Sequence, residues 1–576
     1  MDTTRQAVFS GNLRGEYEQQ LQAIHQEKLF NRLKEHDVTL WPCGEAGTAH
    51  LKSNLEFLHI PEKLAQWVSG PLQADAEAQA QGLTHRVVIA FGSVHHYCEA
   101  LLNIHPDTKN LKCLVLDSCH PRAIRRVEAE TEAHKTLIVL VNKSGYRLED
   151  HALFLYFHKK LETALPGQSA GHFVAGSEAN TFLANTATEY RFRYFLELPA
   201  GILAPYCSVI YLGLLLPALA GVEPEVLRIA CREMKRTDLD TSSSNANPVS
   251  EIGALLVSTA ESGRPFVHFL ATPSLAPFAL GLCRLAGDSL GRKEAGLFPL
   301  ASTIPCATEH SEGAASFVVL RNGEKDEPEV AQCVAGLRSR NAPFLEMTIA
   351  NPLDLLRHTF RWQMATVLAA ARMGLDPFES RDSSLSLTLA GEMLNELSPR
   401  NDSLQRRPRI QEGRLQLFAE GEARRRISQL NLAEGLVSFF ENRQAAAYVG
   451  LFVFLNPCEL AQTHFTALRE ELSQALKLPV LLTWGPRSLD TFDCLLQEGG
   501  PPGLHLVITS DTEFDVTIPG ANYSFGQMYR ALAIGQFEAL STNSGLALRL
   551  HLASPWPEAF AQLQKTITQA LRRLGP

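Results

Sequence analysis

Three short stretches hold many of the residue types that can do chemistry. Asn142-Lys143-Ser144-Gly145 joins an ammonium and a hydroxyl to a glycine. With a helix beginning just beyond it, such a turn offers backbone N–H groups and positive charge to an anion. Gly92-Ser93-Val94-His95-His96-Tyr97-Cys98 sets two imidazoles near a thiol, and Asp117-Ser118-Cys119-His120-Pro121 puts an acid and a hydroxyl ahead of a proline. Adjacent histidines point in different directions and no second ligand pair has a recognised spacing, so no metal is expected. The Asp117–Pro121 stretch reads equally as a helix cap. None of the three holds a nucleophile elbow or a Walker A loop.

Each stretch follows a short apolar run, and open parallel sheets bind ligands beyond the carboxyl ends of their strands. The runs are Val87–Phe91, Leu114–Leu116, Leu137–Val141 and Phe173–Ala175, with amphipathic segments between them. Runs apolar at every position belong to a parallel sheet covered on both faces. The rhythm repeats in Phe266–Ala271, Leu297–Leu300, Phe317–Leu320 and Phe344–Ile349, and again in Val449–Leu455, Val480–Leu482 and Leu504–Thr509. Residues 1–80 read as a helical preface, 81–235 and 248–397 as two successive α/β units, 398–447 as a polar helical linker, and 448–576 as a C-terminal α/β segment.

The 576 residues are 45% apolar and 20% charged with net charge −9, which excludes a disordered chain and argues against nucleic acid as the principal ligand. Eleven cysteines stand singly without a Cys-x-x-Cys pair, and the first residues show no signal-peptide pattern, so a reducing, cytoplasmic setting is expected. Pro199–Val222 carries no charge, but three prolines interrupt it and acids flank it. It reads as a turn and a buried helix, Ser208–Ala220, and no membrane association is expected.

From about Leu29 to Leu552 the chain resembles glucose-6-phosphate isomerases, specifically the isomerase portion of bacterial transaldolase/glucose-6-phosphate isomerase fusions. The resemblance rests on Leu116-Asp117-Ser118, Asn142-Lys143-Ser144-Gly145, Tyr211-Leu212-Gly213 through Pro217, Phe360-Arg361-Trp362 with Asp376-Pro377-Phe378, Gly485-Pro486-Arg487, and Ile518-Pro519-Gly520 through Gly526. It implies an α/β protein of two sugar-isomerase (SIS) domains, each a parallel sheet sandwiched by helices, with a phosphosugar cleft between them. It also implies proton transfer through a cis-enediol with neither metal nor organic cofactor.

The resemblance assigns substrate binding to Gly92, Ser93, Lys143, Ser144, Gly145, Arg147, Arg292 and Arg487, and the base to Asp288. Departures occur in every loop. Where the family has Gly-x-Gly-Gly-Ser, only Gly92 survives in Ala90-Phe91-Gly92-Ser93-Val94. Ser-Lys-Ser-Gly-Thr-Thr becomes Asn142-Lys143-Ser144-Gly145-Tyr146-Arg147, which loses phosphate hydroxyls. Pro205 stands in the turn where the family carries an arginine, and Asp288 replaces a glutamate one methylene longer. Asp490 falls where the family has histidine, and Gln497 where it has lysine. These losses lead to the expectation of an isomerase-like protein without most of its chemistry, serving as a phosphosugar-binding, regulatory or assembly subunit. The alternative is an active isomerase using Asp288 and substitute cations. Expected partners are a sugar phosphate, a separate transaldolase or another sugar-phosphate enzyme, and a second copy of the chain.

Overall fold

The computed structural model describes residues 8–574 except 43–44, 107–110, 240–246, 293–295, 307–310, 312, 324–326, 380–384, 399–402, 428–430, 488–491, 493–499 and 544–545. Strand β1 (Val8–Ser10) is followed by helices of the N-terminal preface, among them Arg14–Gln26 and Ile60–Ala80. The first sheet comprises β2 (His85–Ile89), β3 (Lys112–Leu116), β4 (Thr136–Val141), β5 (Phe173–Ser177) and β6 (Tyr194–Glu197), in the order β3-β2-β4-β5-β6, all parallel. The second contains β7 (Phe266–Ala271), β8 (Phe298–Thr303), β9 (Ala315–Asn322) and β10 (Phe344–Ile349), parallel in the order β10-β9-β7-β8, with β1 antiparallel at the edge. The preface is therefore not helical throughout, because β1 closes the open edge of this sheet.

Residues 398–447 hold the helices Gly421–Arg426 and Leu432–Phe440 but are not helical throughout. They carry β11 (Ile410–Glu412) and β12 (Leu415–Ala419), which pair antiparallel and dock on the third sheet. In β12 Leu415, Leu417 and Ala419 share one buried face, and the polar Gln416 between them masks the pattern. The remaining strands are β13 (Tyr448–Phe454), β14 (Val480–Trp484), β15 (Gly503–Ser510) and β16 (Ala547–Leu552), with overall order β11-β12-β16-β15-β13-β14. Residues of β13 divide between two cores: Val449, Leu451 and Val453 join a cluster private to this sheet, while Tyr448, Phe452 and Phe454 join the core shared with the first two sheets. The third sheet thus packs into the body of the protein on one face.

Ser208–Ala220 is a helix as expected, with its C-terminus closed by Gly221 at φ +60°. Almost all of its residues are buried, and no helix among the described residues is long and apolar enough to cross a membrane. The central helix Pro352–Met373 starts with a capping box, in which Asn351 and Asp354 satisfy each other's backbone donors. Asp238, between the two α/β units, is fully buried and accepts a hydrogen bond from Arg361 Nε at 2.8 Å.

Candidate functional site

In the first sheet, β2 and β4 are neighbours whose connections leave toward opposite sides, which opens a crevice beyond their carboxyl ends. Gly92 and Ser93 follow β2, and Asn142–Gly145 follow β4. Gly92 and Gly145 have φ of +63° and +64°, a region that favours glycine, and a Cβ on Gly145 would run into the Thr181 side chain. Ser144 is exposed, and its hydroxyl donates to Asn142 Oδ1 at 3.1 Å. Turns with a glycine at positive φ thus flank the crevice on both sides.

Its charges are arranged differently from expectation. Lys143 is buried and ion-paired with Glu178, and burial lowers its pKa. Arg147 contacts Glu149 Oε1 through Nε at 3.3 Å and Nη2 at 3.2 Å, and its guanidinium lies 4.6 Å from the Phe91 ring centroid. Glu149 and Asp150 occupy the first turn of the helix Leu148–Ala164 and are both buried. They fill the positive end of that helix with carboxylates, where an incoming anion would otherwise be favoured.

Arg487, just after β14, donates through Nη1 to Asp117 Oδ2 at 3.0 Å and to Glu99 Oε1 at 3.2 Å. Burial opposes its charge, but the two carboxylates outweigh that and raise its pKa above the ordinary arginine value. Burial raises the Glu99 pKa, with Arg487 pulling against it. His95 is fully buried, with Nε2 3.7 Å from Asp117 Oδ2, and burial foremost, then Arg487, holds it neutral. Ligand atoms of His95, Glu99 and Asp117 lie within 4.8 Å of one another. Arg487 already bonds to both of those carboxylates, so a guanidinium stands in the cation position.

The helix Ala276–Leu290 packs on Ser93–Ile104, with Tyr97 set against Gly281. Asp288 sits in the last turn of Ala276–Leu290, where the helix dipole disfavours an acid, and it accepts from Arg284 Nε at 2.7 Å. Gly287-Asp288-Ser289-Leu290-Gly291 spells a Gly-x-Ser-x-Gly string. It lies at a helix end, not at a strand-to-helix turn, and Ser289 is fully buried with its Oγ 2.6 Å from the Tyr206 hydroxyl, so it is no nucleophile elbow. Pro205 belongs to the neighbouring turn, and its carbonyl accepts from Gln363 Nε2 at 2.9 Å. Arg292 pairs with Glu379 at 3.1 Å and donates to the Asp376 carbonyl at 2.7 Å. Asp490 and Gln497 lie outside the described residues.

The structure thus gathers Gly92, Ser93, Lys143 to Arg147 and Arg487 at one sheet end, with Pro205 and Asp288 on the adjoining elements. The sequence reading missed the acids that pair with the cations. Glu149 had a local signal, lying two residues after Arg147 in a first helical turn; Glu99, Glu178 and Glu379 had none.

Sheets with parallel cores, packed against helices, give the chain a mixed α/β architecture. Neither a protein-family model nor a curated protein sequence matches this chain. Solved structures do: a hypothetical protein from Thermus thermophilus aligns at TM-score 0.55 and 17% identity over 67% of this chain and 99% of its own. A glucose-6-phosphate isomerase from Chlamydia trachomatis aligns at TM-score 0.51 and 14% identity over 66% of this chain and 86% of its own. At these identities the likeness is one of fold.

Proposed function

We propose that this chain is a sugar-phosphate isomerase-like protein that has lost isomerase turnover and acts as a regulatory or assembly subunit, with at most weak phosphosugar binding. The observation that carries this reading is that each described cation expected to grip the ester is matched by a carboxylate of the chain: Lys143 by Glu178, Arg147 by Glu149, Arg292 by Glu379, and Arg487 by Glu99 and Asp117. A phosphate must displace those partners, and each charge-assisted bond is worth roughly 1.5–3 kcal/mol, so several together remove orders of magnitude of affinity. Asp288 held by Arg284 is likewise engaged before any substrate arrives. The proposed assembly partner is a separate transaldolase or another sugar-phosphate enzyme, or a second copy of the chain.

A coupled assay for conversion of fructose 6-phosphate to glucose 6-phosphate tests the loss of turnover, with none expected above background. Thermal shift with both esters tests binding by ligand linkage, with little displacement expected. Turnover that disappears in Asp288→Asn would overturn the proposal and establish the active isomerase instead.

A further inference from the structure

A cavity of about 100 Å³ lies between the first sheet and the helices Ile60–Ala80 and Ser208–Ala220, reaching Val94 and Val141 beside the crevice. Its floor is a cross-strand row of short side chains, Val88 beside Val139 beside Val174, in register on β2, β4 and β5. Leu72 of the first helix and Leu215 and Leu219 of the second face it from above. Three β-branched residues in a row leave a trough that the leucines do not fill. The walls are almost wholly hydrocarbon.

Among the described residues, two buried polar atoms in these walls have no partner. Arg86 uses Nε on Asp75 at 2.7 Å and Nη1 on the Leu83 carbonyl at 2.6 Å, while its Nη2 is unpaired. The Tyr211 hydroxyl is also unpaired. Both residues line the cavity, and buried donors are ordinarily satisfied. Water is a poor occupant of the hydrocarbon part, since an ordered water needs two to four polar partners. An apolar body bearing an acceptor oxygen meets both requirements. A carboxylate does not, because Asp75 already balances the Arg86 charge and a second anion would be buried uncompensated.

We propose that this cavity is a binding site for a small uncharged molecule with an aliphatic body and one hydrogen-bond acceptor, of the ketone or amide class, its oxygen directed to the Tyr211 hydroxyl. None of Gly92, Ser93 and Asn142 to Arg147 lines it.

Ligand-observed NMR titration of the full chain with cyclohexanone, methylcyclohexane and cyclohexanecarboxylate tests this. Cyclohexanone is expected to bind about three- to tenfold tighter than methylcyclohexane, the range of one net hydrogen bond, and the carboxylate more weakly than either. Tyr211→Phe, which keeps the ring, is expected to reduce that advantage, and Ala218→Phe, which fills the cavity, to abolish binding of both. Should Ala218→Phe not fold, Leu214→Phe from the half-buried side of the same helix takes its place. No binding of cyclohexanone, equal affinity for ketone and hydrocarbon, unchanged binding in the filled variant, or preference for the carboxylate would overturn the proposal.

Discussion

The Nη1 atom of Arg487 lies 3.0 Å from Oδ2 of Asp117. Asp117 follows β3, the edge strand of the first sheet, and Arg487 follows β14, the edge strand of the third. Glu99, on the helix after β2, holds the same guanidinium at 3.2 Å. One cation and two acids therefore tie two sheets together across the place where an ester was expected to bind.

Removing only the cation should be the more damaging change. Arg487→Met leaves two largely buried carboxylates facing each other, and breaking such a network is expected to lower stability by about 3 kcal/mol at neutral pH. Adding Glu99→Gln and Asp117→Asn should restore much of that loss, because nothing charged is then stranded. Urea unfolding of the single and triple variants measures both effects. Equal stability of Arg487→Met and the parent would show that the network contributes nothing.

The strands of the sheet centres were readable because burial on both faces makes them apolar at every position, as in β4 and β13. Short edge strands such as β6 and β11 bury only part of their surface, so their apolar residues are diluted by polar ones. The crevice positions were readable through a resemblance carried by glycines and turns. Their electrostatic partners were not, because Glu178 lies 35 residues from Lys143 and Glu99 lies 388 from Arg487. Charge pairing across such separations depends on the packing of whole sheets, which no local pattern encodes.

Releasing Lys143 should restore part of an anion seat. Glu178→Gln keeps the side-chain length and removes the charge that now holds the ammonium. The variant is expected to bind fructose 6-phosphate about tenfold more tightly than the parent, the equivalent of one charge-assisted bond regained. Isothermal titration at low salt measures it. An unchanged affinity would mean that Glu178 is not what keeps phosphate out.

Acid should destabilise the fold from about pH 6.5 downward, near the ordinary histidine pKa. Burial foremost lowers the pKa of His268, His358 and His505 to about 3 each. The unfolded chain then takes up protons that the native state refuses, so the stability held above the unfolded pKa is lost as pH falls toward the folded one. At pH 5 each group accounts for about 2 kcal/mol. His505 sits in β15 with its Nε2 2.8 Å from the Tyr448 hydroxyl. The stability of His505→Gln should fall less between pH 7 and pH 5 by about that amount. Parallel urea titrations at the two pH values give the difference, and identical losses in parent and variant would refute the assignment.

The turn after β4 should tolerate no side chain at Gly145. Its φ of +64° disfavours any other L-residue, and an added Cβ would overlap the Thr181 side chain, whose hydroxyl caps the helix Phe182–Glu189 by accepting from Ala184 N at 3.2 Å. The two faults combine in Gly145→Ala, for which a loss of about 2 kcal/mol is expected. Thr181→Ala alone removes the cap and should lose about 1 kcal/mol. If the overlap matters, the double variant should be somewhat more stable than the sum of the two losses implies, because alanine removes the Thr181 hydroxyl and methyl that crowd the added Cβ, while the Thr181 Cβ, 2.5 Å away, keeps part of the overlap. If strain in the backbone is the whole cost, the losses should simply add. A double-mutant cycle by chemical unfolding separates these, and a Gly145→Ala variant as stable as the parent would mean that the turn adopts another conformation.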